Sequence, residues 1–216
     1  MAGSIAIVDY GMGNLRSVAK AIEHVAPLGT QVLITDHAQE ILNADRVVFP
    51  GQGAAGDCMA ALKSRELIEP LAQAAKTRPF LGICMGMQVM LDHSEENGGV
   101  HLLGWFKGAV RRFPAGCDAR GLALKIPQMG WNQIQQIKPH PLWQGVADFS
   151  RFYFVHSYYC APEDAALDVG VTEYGITYTS ALAQGSVFAI QSHPEKSADD
   201  GLQVLKNFTR WDGRPD

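Results

Sequence analysis

Short apolar runs alternate with segments of helical periodicity in the first part of the chain. The run "SIAIVDYG" ends in glycine, and apolar residues then recur at helical steps, at Leu15, Val18, Ala19, Ile22 and Val25. The β-type runs "QVLI", "RVVFPGQG" and "PFLGI" follow, and "DCMAALKSRELIEPLAQAA" between the last two has helical periodicity. This alternation predicts βαβ units and a parallel sheet.

The second part of the chain is predicted to be mostly strands. Helical periodicity fades, and the β-type runs "AVRRF", "WNQIQQI", "RFYFVHSYY", "ALDVGVTEY" and "VFAIQSH" are separated by Gly, Pro and Asn. Near the end, "SADDGLQVLKNFTRWD" places Leu202, Leu205 and Phe208 on one helical face, which predicts a closing helix. With 216 residues and 47% hydrophobic content, we expect a single domain over residues 1–216.

Charge and the N-terminal sequence narrow the class of protein. The formal net charge is −4, and the longest basic run is the pair Arg111-Arg112, so we expect neither nucleic-acid nor membrane binding. The first residues lack a basic segment, and their apolar stretch stops at Asp9, which is too short for a signal-peptide core. These features predict a cytoplasmic protein.

Cys84 lies between two glycines where a predicted strand meets a methionine-rich helix. The stretch "GICMG" has the G-x-nucleophile-x-G spacing of an elbow turn, in which Gly82 and Gly86 remove Cβ atoms that would clash. Free N–H groups at the helix start would favour the thiolate. The pentapeptide alone is also compatible with a small buried residue in a tight turn. We therefore interpret Cys84 as a candidate nucleophile that needs a base.

The stretch "QSHPEKS" supplies a base and a group to orient it. Proline favours an extended backbone at His193, and residues two apart in extended chain point to the same side, so Glu195 can contact the His193 ring. Cys84 would then attack a carbonyl carbon, with His193 moving the proton. In "FPGQGAAGDC", Gly51 and Gly53 permit a turn whose backbone N–H groups could face an oxyanion, although an isolated turn of this kind is more often an ordinary strand-to-helix connection.

The motifs "PGQG", "GICMGMQ" and "HPE", in this order, resemble the class-I (triad-type) glutamine amidotransferases. Further motifs are similar to one branch of that family, the glutaminase subunits of imidazole glycerol phosphate synthase in histidine biosynthesis. These are "VDYGMGNLRSV", "MGWNQI", "FVHSYY" and "HPEKS", and together they cover nearly the whole chain. The resemblance implies a flavodoxin-like α/β fold, with an open mixed sheet and helices on both faces.

The resemblance also implies roles for individual residues. Cys84, His193 and Glu195 would form the triad, through which glutamine is hydrolysed to glutamate and ammonia by way of a glutamyl thioester. The other implied residues are the oxyanion donors Gly51 and Met85, the substrate contacts Gln88, Ser157 and Tyr158, and the partner contacts Asn14, Gln128, Trp131 and Asn132. The implied partner is a cyclase subunit with a (β/α)8 barrel, which receives the ammonia.

Two positions depart from the family pattern. The oxyanion turn is more often Pro-Gly-Val-Gly, whereas this chain has Gln52, and histidine is common where Gln128 stands. Three alternatives remain open: a glutaminase subunit of anthranilate or pyridoxal phosphate synthase, a catalytically silent stabilising subunit, and a cysteine peptidase or thiol hydrolase. The motifs "DYGMGNLRSV" and "HSYY" weigh against the first, and the intact triad weighs against the second.

The remaining histidines and cysteines give no further site. His24, His37, His93 and His101 have no acid or Cys at metal-ligand spacing, so we expect neither a metal site nor a cofactor. His156, among aromatic residues, is predicted to be a hydrogen-bonded structural histidine. The other cysteines, Cys58, Cys117 and Cys160, lack flanking glycines and are predicted to be packing thiols.

Overall fold

The computed structural model describes residues 3–117, 121 and 123–214. Its helices are α1 (Leu15–Val25), α2 (Ala38–Asn43), α3 (Ala55–Ser64), α4 (Ile68–Thr77), α5 (Met85–Gln88) and α6 (Ala198–Phe208). Its strands are β1 (Ser4–Val8), β2 (Gln31–Thr35), β3 (Arg46–Gly51), β4 (Phe80–Cys84), β5 (His93–Ser94), β6 (Val100–His101), β7 (Gly108–Arg112), β8 (Gln128–Gln133), β9 (Gln135–Gln136), β10 (Arg151–His156), β11 (Tyr158–Pro162), β12 (Asp168–Glu173), β13 (Thr177–Gln184) and β14 (Val187–Ile190).

One large mixed sheet organises the chain, in the order β2-β1-β3-β4-β14-β13-β11-β7-β5-β6, with β12 paired to β13 and β9. Strands β2, β1, β3, β4 and β14 are mutually parallel, and the sheet becomes antiparallel from β13 onward. Strands β8 and β10 form a separate two-stranded antiparallel sheet. The predicted open mixed sheet is confirmed.

Helices cover both faces of the parallel region. Successive strand residues point to opposite faces of the sheet, so that Ile7 belongs to one apolar cluster and Val8 to another. The cluster around Ile7 is completed by α1 and α6, through residues such as Ile22 and Phe208. The other cluster is completed by α2, α3 and α4, through residues such as Leu62. In an open sheet of this kind, ligands bind beside the carboxyl ends of the parallel strands.

The local structure departs from the sequence prediction at several points. The single helix predicted over "DCMAALKSRELIEPLAQAA" is two helices, because the chain turns at Glu66, which has a φ of 55°. Helix α2 and strands β5, β6 and β13 were not predicted. The run "RFYFVHSYY" is divided between two sheets at Ser157, since β10 pairs with β8 whereas β11 pairs with β7 and β13.

Among the described helices, none is long and apolar enough to cross a membrane.

His140 is a buried histidine that stabilises a short helical turn. Its Nδ1 accepts a hydrogen bond of 3.2 Å from the Leu142 amide, and its ring packs against Phe188 and Trp211. Burial lowers the pKa of His140 to about 4. The imidazole is therefore neutral in the folded protein at neutral pH.

We expect His140 to destabilise the fold in mild acid. Between a pKa of about 6.5 in the unfolded chain and about 4 in the folded one, protons bind the unfolded state preferentially, so stability falls as the pH drops through this window. One such group contributes a slope of up to about 1.4 kcal/mol per pH unit. His140→Asn keeps an acceptor for Leu142 but does not titrate, so urea denaturation should show a shallower decline. The difference in unfolding free energy between the two proteins at pH 8 gives the effect of altered packing and is subtracted. If stability then depends on pH equally in both proteins, the lowered pKa of His140 is contradicted.

Candidate active site

The predicted nucleophile, base and oxyanion turn meet at the carboxyl end of the parallel strands. Cys84 ends β4, Gly51 ends the neighbouring β3, and His193 follows β14 on the other side. Cys84 and His193 border a cavity of about 460 Å³, whose lining also includes Gln52, Met85, Gln88, Glu96, His156, Ser157, Tyr158 and Lys196. Strand order thus brings together segments that are distant in the sequence.

Cys84 lies on a sharp turn between β4 and α5. Its φ of 54° and ψ of −108° are an unusual conformation for a residue with a side chain. A Cβ on Gly86 would overlap the carbonyl oxygen of Phe49, and one on Gly82 would lie 2.9 Å from the Gly86 oxygen. The two glycines are therefore required by close packing, as the elbow interpretation predicted. Helix α5 spans only four residues, so the expected stabilisation by a methionine-rich helix is limited to its first turn.

His193 and Glu195 form a close buried pair. His193 Nδ1 lies 2.9 Å from Glu195 Oε1, and their side chains are 7% and 2% exposed. The pairing was predicted from extended chain, but Pro194–Lys196 form a turn of 3-10 helix, which curls the carboxylate back to the ring. The His193 backbone is fixed separately, because its N–H donates to the Tyr153 oxygen at 2.9 Å and its carbonyl accepts from Ser197 at 2.6 Å.

The charge on His193 is set by its neighbours. Burial by itself lowers the pKa of His193, but the Cys84 thiolate and the Glu195 carboxylate outweigh it and raise the pKa to about 10. Within the described part of the chain, the buried His193 Nε2 makes no hydrogen bond of normal geometry. The site therefore favours the protonated form of His193 at neutral pH.

Gly51 packs directly against the start of α5. A Cβ at this position would overlap the Tyr10 hydroxyl and approach the Met85 Cβ to 2.8 Å. The backbones of Gly51 and Met85, which carry the two predicted oxyanion donors, are thus adjacent beside Cys84. Burial, together with the nearby Cys58 thiol, raises the pKa of Tyr10. The phenol that packs against the turn at Gly51 is therefore neutral.

The predicted substrate residues line the same cavity. Gln88 is buried, and its Nε2 donates to the Tyr158 carbonyl oxygen and to Gln191 Oε1, both at 2.9 Å. Ser157 and Tyr158 also line the cavity, at the point where the chain changes sheets. Gln88 and the backbone of Tyr158 therefore belong to one hydrogen-bonded unit.

The polar residues at the site that were not predicted include Glu96 and Gln191. Glu96 lines the cavity, with Oε2 accepting a hydrogen bond of 2.6 Å from the Ala55 amide. Gln191 is fully buried, and its Nε2 donates to Cys84 Sγ at 3.6 Å. Glu96 follows a weakly patterned loop, and the sequence carries no signal for it. Gln191 lies two residues before His193, where alternation along an extended chain could have suggested a side chain facing the site.

The other histidine and cysteine predictions have mixed outcomes. His156 is buried, its Nδ1 lies 2.7 Å from the Tyr158 oxygen, and burial lowers its pKa to about 4, which fits the predicted structural role. Cys58 and Cys160 are buried, and burial raises the pKa of Cys58 to about 12. The prediction for Cys117 is wrong, because this thiol is exposed.

The predicted partner contacts are only partly on the surface. Trp131 is 45% exposed on β8, near the 65% exposed Met129, and Asn14 is exposed at the start of α1. Asn132 is half-buried and donates to the Glu173 oxygen at 2.8 Å. Gln128 differs from the prediction: it is 2% exposed and accepts a hydrogen bond from Tyr178. Its side chain is therefore part of the core beneath this surface.

Comparisons with known proteins agree with this geometry. The family model for class-I glutamine amidotransferases matches residues 6–211. The chain is 54% identical to imidazole glycerol phosphate synthase subunit HisH of Hydrogenovibrio crunogenus, over 97% of each chain. It is 56% identical to the subunit of the same name from Aromatoleum aromaticum, over 96% of this chain and 98% of the relative.

Solved structures share the fold at low identity. A crystal structure of a glutamine amidotransferase superposes with a TM-score of 0.69 at 15% identity, over 95% of this chain and 99% of the other. The CTPS glutaminase domain of Trypanosoma brucei, solved with acivicin, gives a TM-score of 0.61 at 16% identity, over 100% of this chain and 97% of the other. At these identities the likeness concerns the fold alone.

The packing of the elbow predicts opposite effects for two helical glycines. Gly86→Ala should lower the free energy of unfolding by about 1–3 kcal/mol, because the new Cβ meets the rigid backbone of Phe49. Gly56→Ala in α3 should be neutral or stabilise by up to about 1 kcal/mol, since its nearest neighbour would be 3.7 Å away. Urea denaturation measures both, and equal stability of the two variants would contradict the packing argument.

Proposed function

The chain belongs to the class-I glutamine amidotransferase family, and we propose that it is the glutaminase subunit of an imidazole glycerol phosphate synthase. In this proposal it hydrolyses glutamine to glutamate and ammonia for histidine biosynthesis. The observation that carries the proposed chemistry is the convergence of Cys84, His193 and Glu195 at one end of the sheet, beside a cavity of about 460 Å³. The full-length identity to subunits of that name supports the choice of branch.

The first half of the reaction uses the thiolate and the imidazolium. The Cys84 thiolate attacks the amide carbon of glutamine, and the carbonyl oxygen becomes an oxyanion. His193 then donates its proton to the departing nitrogen, ammonia leaves, and a glutamyl thioester remains on Cys84. The Glu195 carboxylate, 2.9 Å from His193 Nδ1, keeps the ring oriented throughout.

The second half regenerates the enzyme. His193, now neutral, takes a proton from water, and the resulting hydroxide attacks the thioester carbon. Collapse of the second oxyanion releases glutamate, and the thiolate and imidazolium are restored. Both oxyanions would receive hydrogen bonds from the backbone N–H groups of Gly51 and Met85, and each such donor is worth about 10²–10³-fold in rate.

Substrate recognition is proposed for the polar wall of the cavity. The Gln88 side chain and the backbone around Ser157 and Tyr158 would hold the amino-acid end of glutamine. The Glu96 carboxylate on the same cavity has the charge to bind the substrate α-ammonium group. The proposed reaction needs neither a metal ion nor a cofactor, since a thiolate, a base and oxyanion donors complete it.

The ammonia needs an acceptor, and we place the acceptor site in a cyclase subunit built as a (β/α)8 barrel. The name "subunit" of the similar proteins describes parts of a larger enzyme. The exposed residues Trp131, Met129 and Asn14 supply the partner surface in this proposal. Assays with glutamine, asparagine and peptide amides separate this function from that of a general thiol hydrolase, and assays with other amidotransferase partners separate the branches.

Replacement of the nucleophile tests the chemistry. Cys84→Ala, in complex with the cyclase subunit, should lower glutamate production by at least about 10³-fold, because no thioester can form. Synthesis by the partner should persist when ammonia is supplied in excess. Cys117→Ala, which removes an exposed thiol, is the matched control and should retain activity. Undiminished glutaminase activity in Cys84→Ala would exclude the proposed nucleophile.

Replacement of the exposed tryptophan tests the partner surface. Trp131→Ala should weaken binding of the cyclase subunit by about 2 kcal/mol, the loss typical of an aromatic residue central to an interface. Activation of glutaminase by the partner should fall accordingly, whereas basal hydrolysis by the free chain should stay within about twofold. Leu28→Ala, fully exposed on a distant loop, is the control. Calorimetric titration and glutamate assays measure both effects, and unchanged binding would remove Trp131 from the interface.

A further inference from the structure

Gln191 is a buried amide beside the nucleophile that the mechanism above does not use. It directly follows β14 and is 0% exposed, and its backbone N–H donates to the Ser180 oxygen at 2.8 Å. An apolar side chain would fill this position without the cost of burying an amide, which is large unless both ends of the amide are hydrogen-bonded. Its two ends contact groups of the site: Oε1 contacts Gln88, and Nε2 contacts Cys84.

We propose that Gln191 is a positioning residue that stabilises the Cys84 thiolate and holds the substrate contact Gln88 through one side-chain amide. The role as a positioning residue for glutamine hydrolysis rests on the function proposed above. The contact with the sulfur is a property of the free protein. It can therefore be tested without any assay of glutaminase activity.

The hydrogen-bond network fixes the orientation of this amide. Gln88 Nε2 has two protons, and it directs them at the Tyr158 carbonyl oxygen and at Gln191 Oε1, both at 2.9 Å. Because the Gln191 oxygen is thereby committed as an acceptor, the other end of the amide must be the nitrogen. That nitrogen lies 3.6 Å from Cys84 Sγ, so an N–H group is directed at the sulfur.

An N–H donor at this distance distinguishes the two protonation states of Cys84. A thiol is a weak acceptor, whereas a thiolate accepts a charge-assisted hydrogen bond. The contact with Gln191 therefore favours the charged form. The other titratable groups near the sulfur are His193 after β14, Tyr10 after β1 and Cys160 on β11, and replacement of Gln191 leaves all three in place.

Two substitutions separate the contacts of the amide. Gln191→Glu keeps an oxygen that can accept from Gln88, but its ionised carboxylate has no proton for Cys84. Gln191→Met has nearly the same length and removes both contacts. Gln184→Glu, at an exposed position on β13, is the control for the added charge.

The thiolate readout is the alkylation rate of Cys84 by iodoacetamide, followed by peptide mass spectrometry between pH 5 and about pH 10. The sulfur displaces iodide, so the rate follows the thiolate fraction. In both Gln191 variants the pH midpoint for Cys84 should rise by about one unit, a tenfold change in the thiolate equilibrium. The exposed Cys117 of the same chain serves as internal reference and should not shift.

Steady-state kinetics of the complex with the cyclase subunit tests the link to Gln88. Gln191→Glu should lower kcat about tenfold or more with KM changed less than about threefold, because the thiolate loses its donor and gains a negative neighbour while Gln88 keeps its acceptor. Gln191→Met should also raise KM, because Gln88 loses its partner. A KM that is the same in both variants would remove Gln88 from the proposal.

Unshifted alkylation of Cys84 in folded Gln191 variants would overturn the stabilising role and leave Gln191 as a packing residue. If neither variant folds, NMR spectroscopy of the unmutated protein tests the contact. The side-chain amide signals of Gln191 should move with the pH midpoint of Cys84 alkylation, and they should not move in Cys84→Ala. Signals that are insensitive to pH in both proteins would contradict the contact. Absence of glutamate production by the unmutated complex would instead refute the proposed function, and the alkylation result would stand.

Discussion

The close approach of α5 to β3 is the constraint on which the site depends. At Gly86 the helix lies so near the Phe49 carbonyl that a Cβ would overlap it. The chain can reach this position only through the strained turn at Cys84, which has a φ of 54°. The turn aims the sulfur toward the cavity between the neighbouring strand ends. Two absent methyl groups, at positions 82 and 86, thus determine where the nucleophile lies.

Three buried histidines show how partners decide charge. His140 and His156 are both buried, and burial lowers the pKa of each to about 4. His193 is similarly buried, but the Cys84 thiolate and the Glu195 carboxylate raise its pKa to about 10. The residue type and the degree of burial are alike in all three, so the difference comes from neighbouring negative charge. Only His193 can carry a proton to a leaving group at neutral pH.

The small sheet connects the proposed partner surface to the base. Trp131 on β8 lies opposite Tyr153 on β10, and their rings make an edge contact at 6.2 Å. The Tyr153 carbonyl accepts the backbone N–H of His193 at 2.9 Å. One strand therefore separates an exposed tryptophan from the backbone of the base. This arrangement exists because the segment "RFYFVHSYY" divides into β10 and β11, which lie in different sheets.

The sequence by itself determined the βαβ alternation, the elbow at Cys84 and the pairing of His193 with Glu195, because each depends on residues close together in the chain. It did not determine the break at Glu66, the burial of Gln128 or the exposure of Cys117, since these depend on what packs against each residue. No sequence pattern assigned a role to Gln191. Its contacts with Gln88 and Cys84 join residues that are 103 and 107 positions apart in the chain. Only the tertiary structure decided these contacts, because strand order in the sheet places β4 beside β14, and no local pattern encodes which strands become neighbours.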